Sequence, residues 1–151
     1  MVQTYSSNKK IYSVDMMFSY LNLFSYPVTT IDIKKYLYTL DFKGWGDPSK
    51  NIFYSPMDVI NNPNNKEYAN EINRIKEADL SYPIIADSKH IIDGVHRLTK
   101  AYLNGNKTLK AYIFSKQLMN KFLINNKGDW NKVNKIQTYH YIQLFYQRFC
   151  K

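Results

Sequence analysis

Apolar and polar residues change their period several times along this chain, and the changes predict its elements. From Ser13 onward, Val14, Met17, Phe18, Leu21 and Phe24 recur at helical intervals, with Ser13 placed to cap the helix and Pro27 to end it. "VTTIDI" (28–33) alternates and is β-branched, which predicts a strand. "KKYLYTL" (34–40) reads as a short helical or irregular exit. Residues 41–56, "DFKGWGDPSKNIFYSP", set two glycines and two prolines around aromatic residues, the composition of a long loop. Ser55 and Pro56 then stand as N-cap and first residue of a short helix over "MDVIN". After the break "NNPNN", a polar helix is predicted over about 66–78, with Tyr68, Ile72 and Ile75 as its apolar line.

The middle of the chain is the most legible. "YPIIA" (82–86), the turn "DSK" and "HIID" (90–93) predict a hairpin. "GVHRLTKAYLN" (94–104) predicts a helix with Leu98, Ala101 and Tyr102 toward a sheet, ended by Gly105, and "KTLKAYIF" (107–114) a further strand. That order implies an α+β fold: a small mixed β-sheet with a hairpin and a crossover helix, flanked by N- and C-terminal helices. Two more helices are expected, over 115–124 and from Asp129 toward Phe149, the second with Val133, Ile136, His140, Leu144 and Phe145 on one side. No repeat, low-complexity tract or linker interrupts the pattern. The expectation is one domain over 1–151, with a core at about 27–114 and a C-terminal helical extension over 115–151.

Composition narrows the class. With 44% apolar and 16% aromatic residues the chain has the means to fold rather than stay disordered. No apolar run approaches the roughly 20 residues that span a bilayer, and the N-terminus has no signal-peptide core. The single cysteine, Cys150, cannot form an internal disulfide, so an intracellular, reducing, cytoplasmic setting is expected, with no membrane partner. The net charge of +9 suits nucleic acid, nucleotide phosphates or an anionic membrane surface. Abundant Lys, Asn, Ile and Tyr, however, are what AT-rich coding DNA produces, so much of the charge reads as codon bias on a solvated surface. Against that drift only Arg74, Arg97 and Arg148 stand beside eighteen lysines. A retained arginine suggests that its planar fork matters, because lysine offers a point charge instead.

One of the three lies in the chain's most suggestive stretch, "IIDGVHRLTKAYLNG" (91–105), where a strand runs into a helix. A helix start carries free N–H groups and partial positive charge, and glycine lets an anion approach the backbone. Gly94 stands at the entrance, with Val95, His96 and Arg97 in the first turn. His96 can hydrogen-bond an oxyanion or exchange a proton near neutral pH, and Arg97 can grip two phosphate oxygens. Asp93 can cap the helix, hold His96 in one tautomer, or bind Mg²⁺. The plainer alternative is an aspartate cap beside two ordinary surface residues.

The stretch "YPIIADSKHIIDGVHRLTKAYLNGNKTLKAYIF" resembles the core of the ParB/sulfiredoxin superfamily, an apolar hairpin running into D-G-x-H-R, then a helix and a strand. The resemblance covers about residues 80–114 and implies a nucleotide-phosphate site at Gly94, His96 and Arg97. Sulfiredoxins place their nucleophilic cysteine where this chain has Val95, which removes that activity. ParB partition proteins bind CTP and continue into a helix-turn-helix domain, for which this chain is too short. The superfamily's free serine kinases carry D-G-H-H-R, similar to Asp93-Gly94-Val95-His96-Arg97, and add a glutamate base after the first strand. Here no glutamate precedes Glu67, so Asp41 or Asp47 is the available substitute.

The resemblance therefore implies a nucleotide-binding protein taking ATP or ADP, with CTP as a further candidate. Its expected work is Mg²⁺-dependent phosphoryl transfer or nucleotide hydrolysis. Asp93, His96 and Asp47 are the expected catalytic residues, and Asp93 is the expected metal ligand. Phosphate and nucleotide contacts are expected from Gly94, Val95, His96, Arg97 and Trp45, the last from "GWGDP" (44–48), read either as a lid or as a loop pinned to the core. The alternatives are a DNA-binding or nuclease-like module in which the same corner meets backbone phosphate, and a non-catalytic protein acting through its C-terminal aromatic helix.

Overall fold

The computed structural model describes residues 3–151, and their contacts divide the chain into two compact units. Val28–Ile113 forms one; the stretch ending at Pro27 joins Phe114–Lys151 in the other. Both are mixtures of helices and small sheets, so the fold is α+β.

The chain opens on β1 (Thr4–Ser7) and β2 (Lys10–Ser13), an antiparallel hairpin that the sequence pattern does not reveal. Its turn residues Asn8 and Lys9 both have positive φ (50° and 66°), the conformation of tight hairpin turns. Helix α1 (Val14–Leu23) follows directly. Ser13 caps it as expected, its Oγ accepting from the Met16 N–H at 3.1 Å. Val14 and Met17 are buried, but Phe18 and Phe24 from the expected stripe stay substantially exposed, and Met16 is buried in addition.

In the Val28–Ile113 unit, β3 (Thr29–Asp32) leads into a nine-residue 3₁₀ helix, Ile33–Asp41, capped by Asp32 through the Lys34 N–H at 2.9 Å. The stretch 41–56, expected as loop, is instead organised by a hairpin, β4 (Trp45–Asp47) with β5 (Ile52–Tyr54). Gly46 masks the strand signal, and it is required there. Its φ is +122°, and a Cβ would collide with the Ile52 carbonyl oxygen across the ladder.

Helix α2 (Pro56–Asn61) starts with the expected Ser55 cap, completed by Asp58. The Asp58 N–H donates to Ser55 Oγ at 3.1 Å and the Ser55 N–H donates to Asp58 Oδ2 at 2.9 Å. The Ser55 backbone bond, above all, holds the Asp58 carboxyl below its ordinary range. A carboxyl depressed on folding adds stability above its unfolded pKa and loses it as pH falls through the folded value. Ser55→Ala should lower the unfolding free energy by about 1 kcal/mol in a urea titration at neutral pH. A midpoint equal to the parent's would show that the box holds nothing.

Helix α3 (Ala69–Glu77) continues a short 3₁₀ turn, Lys66–Tyr68. Then come β6 (Ile84–Ala86), β7 (Ile91–Asp93), α4 (Val95–Leu103) and β8 (Thr108–Ile113). The sheet runs β3-β8-β6-β7, with β6 parallel to β8 and the other pairs antiparallel. The hairpin and the crossover helix thus stand where the pattern puts them. Ile31, Tyr36, Leu40, Ile84, Leu98 and Leu109 are among the buried side chains of the unit's core. Tyr102, expected on the sheet side, is 40% exposed, while Thr99 is fully buried and donates to the Val95 carbonyl at 2.7 Å.

The other unit resumes with α5 (Lys116–Asn120), β9 (Leu123–Asn125), α6 (Trp130–Asn134) and α7 (Thr138–Phe149). The C-terminal stretch is therefore not simply helical. Residues expected to end a helix at 115–124 form β9, which pairs with β2 in a sheet ordered β1-β2-β9. The helix expected from Asp129 to Phe149 is two helices, the first capped by Asp129. Tyr20, Phe114, Phe122 and Phe149 bring their rings together, with centroids 5.2–6.4 Å apart. Among the described residues no helix is long and apolar enough to cross a membrane.

Candidate functional site

The strand-to-helix corner is built by one glycine. β7 ends at Asp93, and Gly94 turns the chain at φ +112° into α4. A Cβ on Gly94 would stand 2.5 Å from Ile84 Cγ2 and 2.9 Å from Ile84 Cβ, so β7 can pass this close to β6 only with a glycine here. No side chain caps α4, and its first turn starts with the N–H groups of Val95, His96 and Arg97. Val95 itself packs against the unit's core.

Arg97 is more deeply committed to the protein than its sequence context suggests. Nη1 donates to the Tyr82 carbonyl at 3.1 Å and to the Pro83 carbonyl at 2.8 Å, and Nη2 donates to Asp93 Oδ2 at 2.9 Å. Three of the five N–H donors of the guanidinium thus clip the entry to β6 onto the corner. Asp93 does not cap α4; it forms a salt bridge with Arg97 one turn on, both side chains being less than a fifth exposed.

His96 is held from two sides. Its Nε2 lies 2.5 Å from Glu71 Oε2 on α3, and the Trp45 ring stacks on the imidazole with centroids 4.5 Å apart and planes 15° from parallel. The β4–β5 hairpin therefore brings Trp45 to the corner. Both members of the His96–Glu71 pair are mostly buried, their side chains 21% and 14% exposed. α3 is fixed beside α4 by Lys100, whose Nζ donates to the Lys76 and Ala78 carbonyls, both at 2.7 Å. Tyr54 and Tyr68 meet nearby at 4.7 Å; burial, then the Glu71 charge, push the Tyr54 phenol up from its ordinary range.

Asp47 behaves differently. Its Oδ1 accepts from the Ser49 hydroxyl at 2.5 Å and the Ser49 N–H at 3.1 Å, capping the 3₁₀ turn Pro48–Lys50. The Ser49 hydroxyl bond holds this carboxyl below its ordinary range, which makes it a weak proton acceptor. His90 is engaged at the hairpin turn with Asp87 and Tyr38. Among the described residues no group of three or more His, Cys, Asp or Glu side chains is placed to hold a metal ion.

Glu71 is the participant that sequence reasoning passed over. It lies three residues after Tyr68 and four before Ile75, hence beside the apolar line of its helix. That placement was the available signal. His140, expected among packed residues, instead accepts the Gln137 N–H on Nδ1 at 3.1 Å and closes the start of α7. Compared with protein-family models, with curated proteins and with solved structures, the chain matches none.

Proposed function

We propose that the Val28–Ile113 unit is a ParB/sulfiredoxin-like core that binds a nucleotide through its phosphates and handles a proton there, as in phosphoryl transfer or nucleotide hydrolysis. The observation that carries this reading is the stack Trp45–His96–Glu71 set beside the uncapped start of α4. Phosphate oxygens would meet the first-turn N–H groups, at a helix end whose dipole favours anions. Glu71 orients the imidazole, and His96 takes the proton from an attacking hydroxyl or water, a division of labour that needs both groups within hydrogen-bond reach. Glu71, on α3 rather than on the loop after the first strand, is the carboxylate that reaches the corner, while Asp47 is otherwise engaged. Arg97 shapes the corner with three donors and has its Nε–H and second Nη2–H left for a ligand.

The protein offers little of a Mg²⁺ cage: Asp93 is paired with Arg97, and among the described residues no cluster of three or more ligating side chains surrounds it. Mg²⁺ at such a site would arrive bound to the phosphates, as is common for this ion. Calorimetric titration of ATP, ADP and CTP with Mg²⁺ tests the reading. One of them should bind, Trp45→Ala should weaken it about tenfold or more, and Glu71→Gln should abolish turnover while leaving affinity within a few-fold. If the parent protein binds none of the three, the proposal fails.

A further inference from the structure

The positive charge of this chain is not shared between its two units. The unit formed by the chain ends contains nine lysine and arginine side chains against two acidic ones, Asp15 and Asp129, and so holds seven of the nine net charges. The Val28–Ile113 unit has twelve basic side chains against ten acidic ones. Lysine is about equally frequent in both, 8 of 65 residues against 10 of 86, so a coding bias toward lysine acts on both alike. What differs is the loss of acidic residues from one unit, and codon bias toward lysine does not produce that.

Part of this charge is gathered by the fold. The Gly128 N–H donates to the Lys9 carbonyl at 2.8 Å, and the Trp130 N–H donates to the Gly128 carbonyl at 3.1 Å. The β1–β2 turn and the loop entering α6 therefore meet: exposed Lys9 and Lys10 come from the one and exposed Lys127 from the other, two residues from the Gly128–Trp130 contact, where Trp130 is 44% exposed. Basic side chains near an exposed flat ring suit a phosphodiester backbone with an unpaired base. A membrane-surface helix would instead carry its lysines along its own polar face. α7, the helix here with an exposed row of Tyr139, Ile142 and Tyr146, has no lysine. Its arginine, Arg148, is spent on the Lys121 and Leu123 carbonyls at 2.9 and 2.7 Å.

We propose that this terminal unit binds single-stranded nucleic acid, with Lys9, Lys10 and Lys127 on the backbone and Trp130 stacked on a base. The inference is independent of the nucleotide reading and concerns different residues. The test uses the full chain and a labelled mixed-sequence 20-mer, single-stranded and duplex, with anionic phosphatidylglycerol vesicles in parallel. Affinity should fall steeply with salt, the logarithmic slope growing by about 0.7 per phosphate contacted. Lys9→Glu with Lys127→Glu should weaken single-strand binding tenfold or more. Lys89→Glu with Lys107→Glu, the same charge change in the other unit, should leave it within about twofold. On a Trp45→Phe background, the remaining Trp130 fluorescence should be quenched by the single strand more than by the duplex. Equal losses from both charge pairs would reduce the effect to bulk charge and overturn the site. So would no binding at low salt, unquenched Trp130, or a preference for vesicles over the oligonucleotide.

Discussion

Arg97→Ala should destabilise the protein by roughly 2–3 kcal/mol, because it removes a charged donor from three acceptors and leaves one partly buried carbonyl and a carboxylate without it. The acceptors are the Tyr82 and Pro83 carbonyls and Asp93, and together they fasten the chain entering β6 to the end of β7 and the start of α4. Arg97→Lys should recover only a minor part of the loss. An ammonium can reach one or two of these groups, but it lacks the planar spread that serves all three at once. Urea titrations of the three proteins check this, with the midpoints expected in the order parent, Lys, Ala. A lysine variant as stable as the parent would show that charge alone suffices. The same result bears on function: a lost nucleotide affinity in Arg97→Ala would report a deformed corner as readily as a lost phosphate contact, which is why Trp45 and Glu71 are the informative substitutions.

The arginines show both the reach of the sequence and its end. A drift toward lysine marks each surviving arginine as a place where a fork is useful, and both Arg97 and Arg148 do use Nη1 on two backbone carbonyls. What the fork grips is set by chain segments 14–15 residues away for Arg97 and 25–27 for Arg148, and no local pattern encodes that. Elements with a local physical marker were legible. The caps Ser13, Ser55 and Asp129, the alternating strand at 28–33 and the hairpin-helix-strand run over 82–113 stand as their residues predict. The elements missed were strands of three or four residues: β1, β2, β4, β5 and β9. Strands so short present one or two alternations, and the equally short β3, β6 and β7 were legible because apolar or β-branched residues extend the pattern, as in "VTTIDI", "YPIIA" and "HIID".

The candidate site divides the same way. Gly94, His96 and Arg97 were visible as a corner because a strand period gives way to a helix period there. Trp45 was visible as a large aromatic in a glycine-rich stretch, and its stacking on His96 follows from a hairpin that no pattern announced. Glu71 comes from a helix 25 residues before its partner, and only packing of α3 on α4 turns an ordinary helical carboxylate into the partner of an imidazole.

Gly94→Ala should destabilise the protein by about 2–4 kcal/mol. Two costs combine. At φ +112° an L-residue is held outside its favoured regions, for roughly 1–2 kcal/mol. The new Cβ also meets Ile84 Cγ2 at 2.5 Å, and overfilling a packed contact of this kind costs about 1–3 kcal/mol. The two can be largely separated, because Ile84→Ala removes Cγ2, the nearer of the two atoms struck, and leaves only the 2.9 Å approach to Ile84 Cβ while the backbone conformation persists. In a double-mutant cycle read by urea denaturation, the two substitutions together should cost less than their sum by about 1 kcal/mol or more. Strict additivity would place the cost in the backbone angle and the remaining Cβ contact rather than in Cγ2. The cycle also bears on why a glycine stands at this corner. If it serves only the approach of β7 to β6, the double variant should keep whatever nucleotide affinity the Ile84→Ala protein has. If an anion also lies against the Gly94 backbone, affinity should stay lost after the clash has been eased, because the Cβ still occupies the path to the first turn of α4.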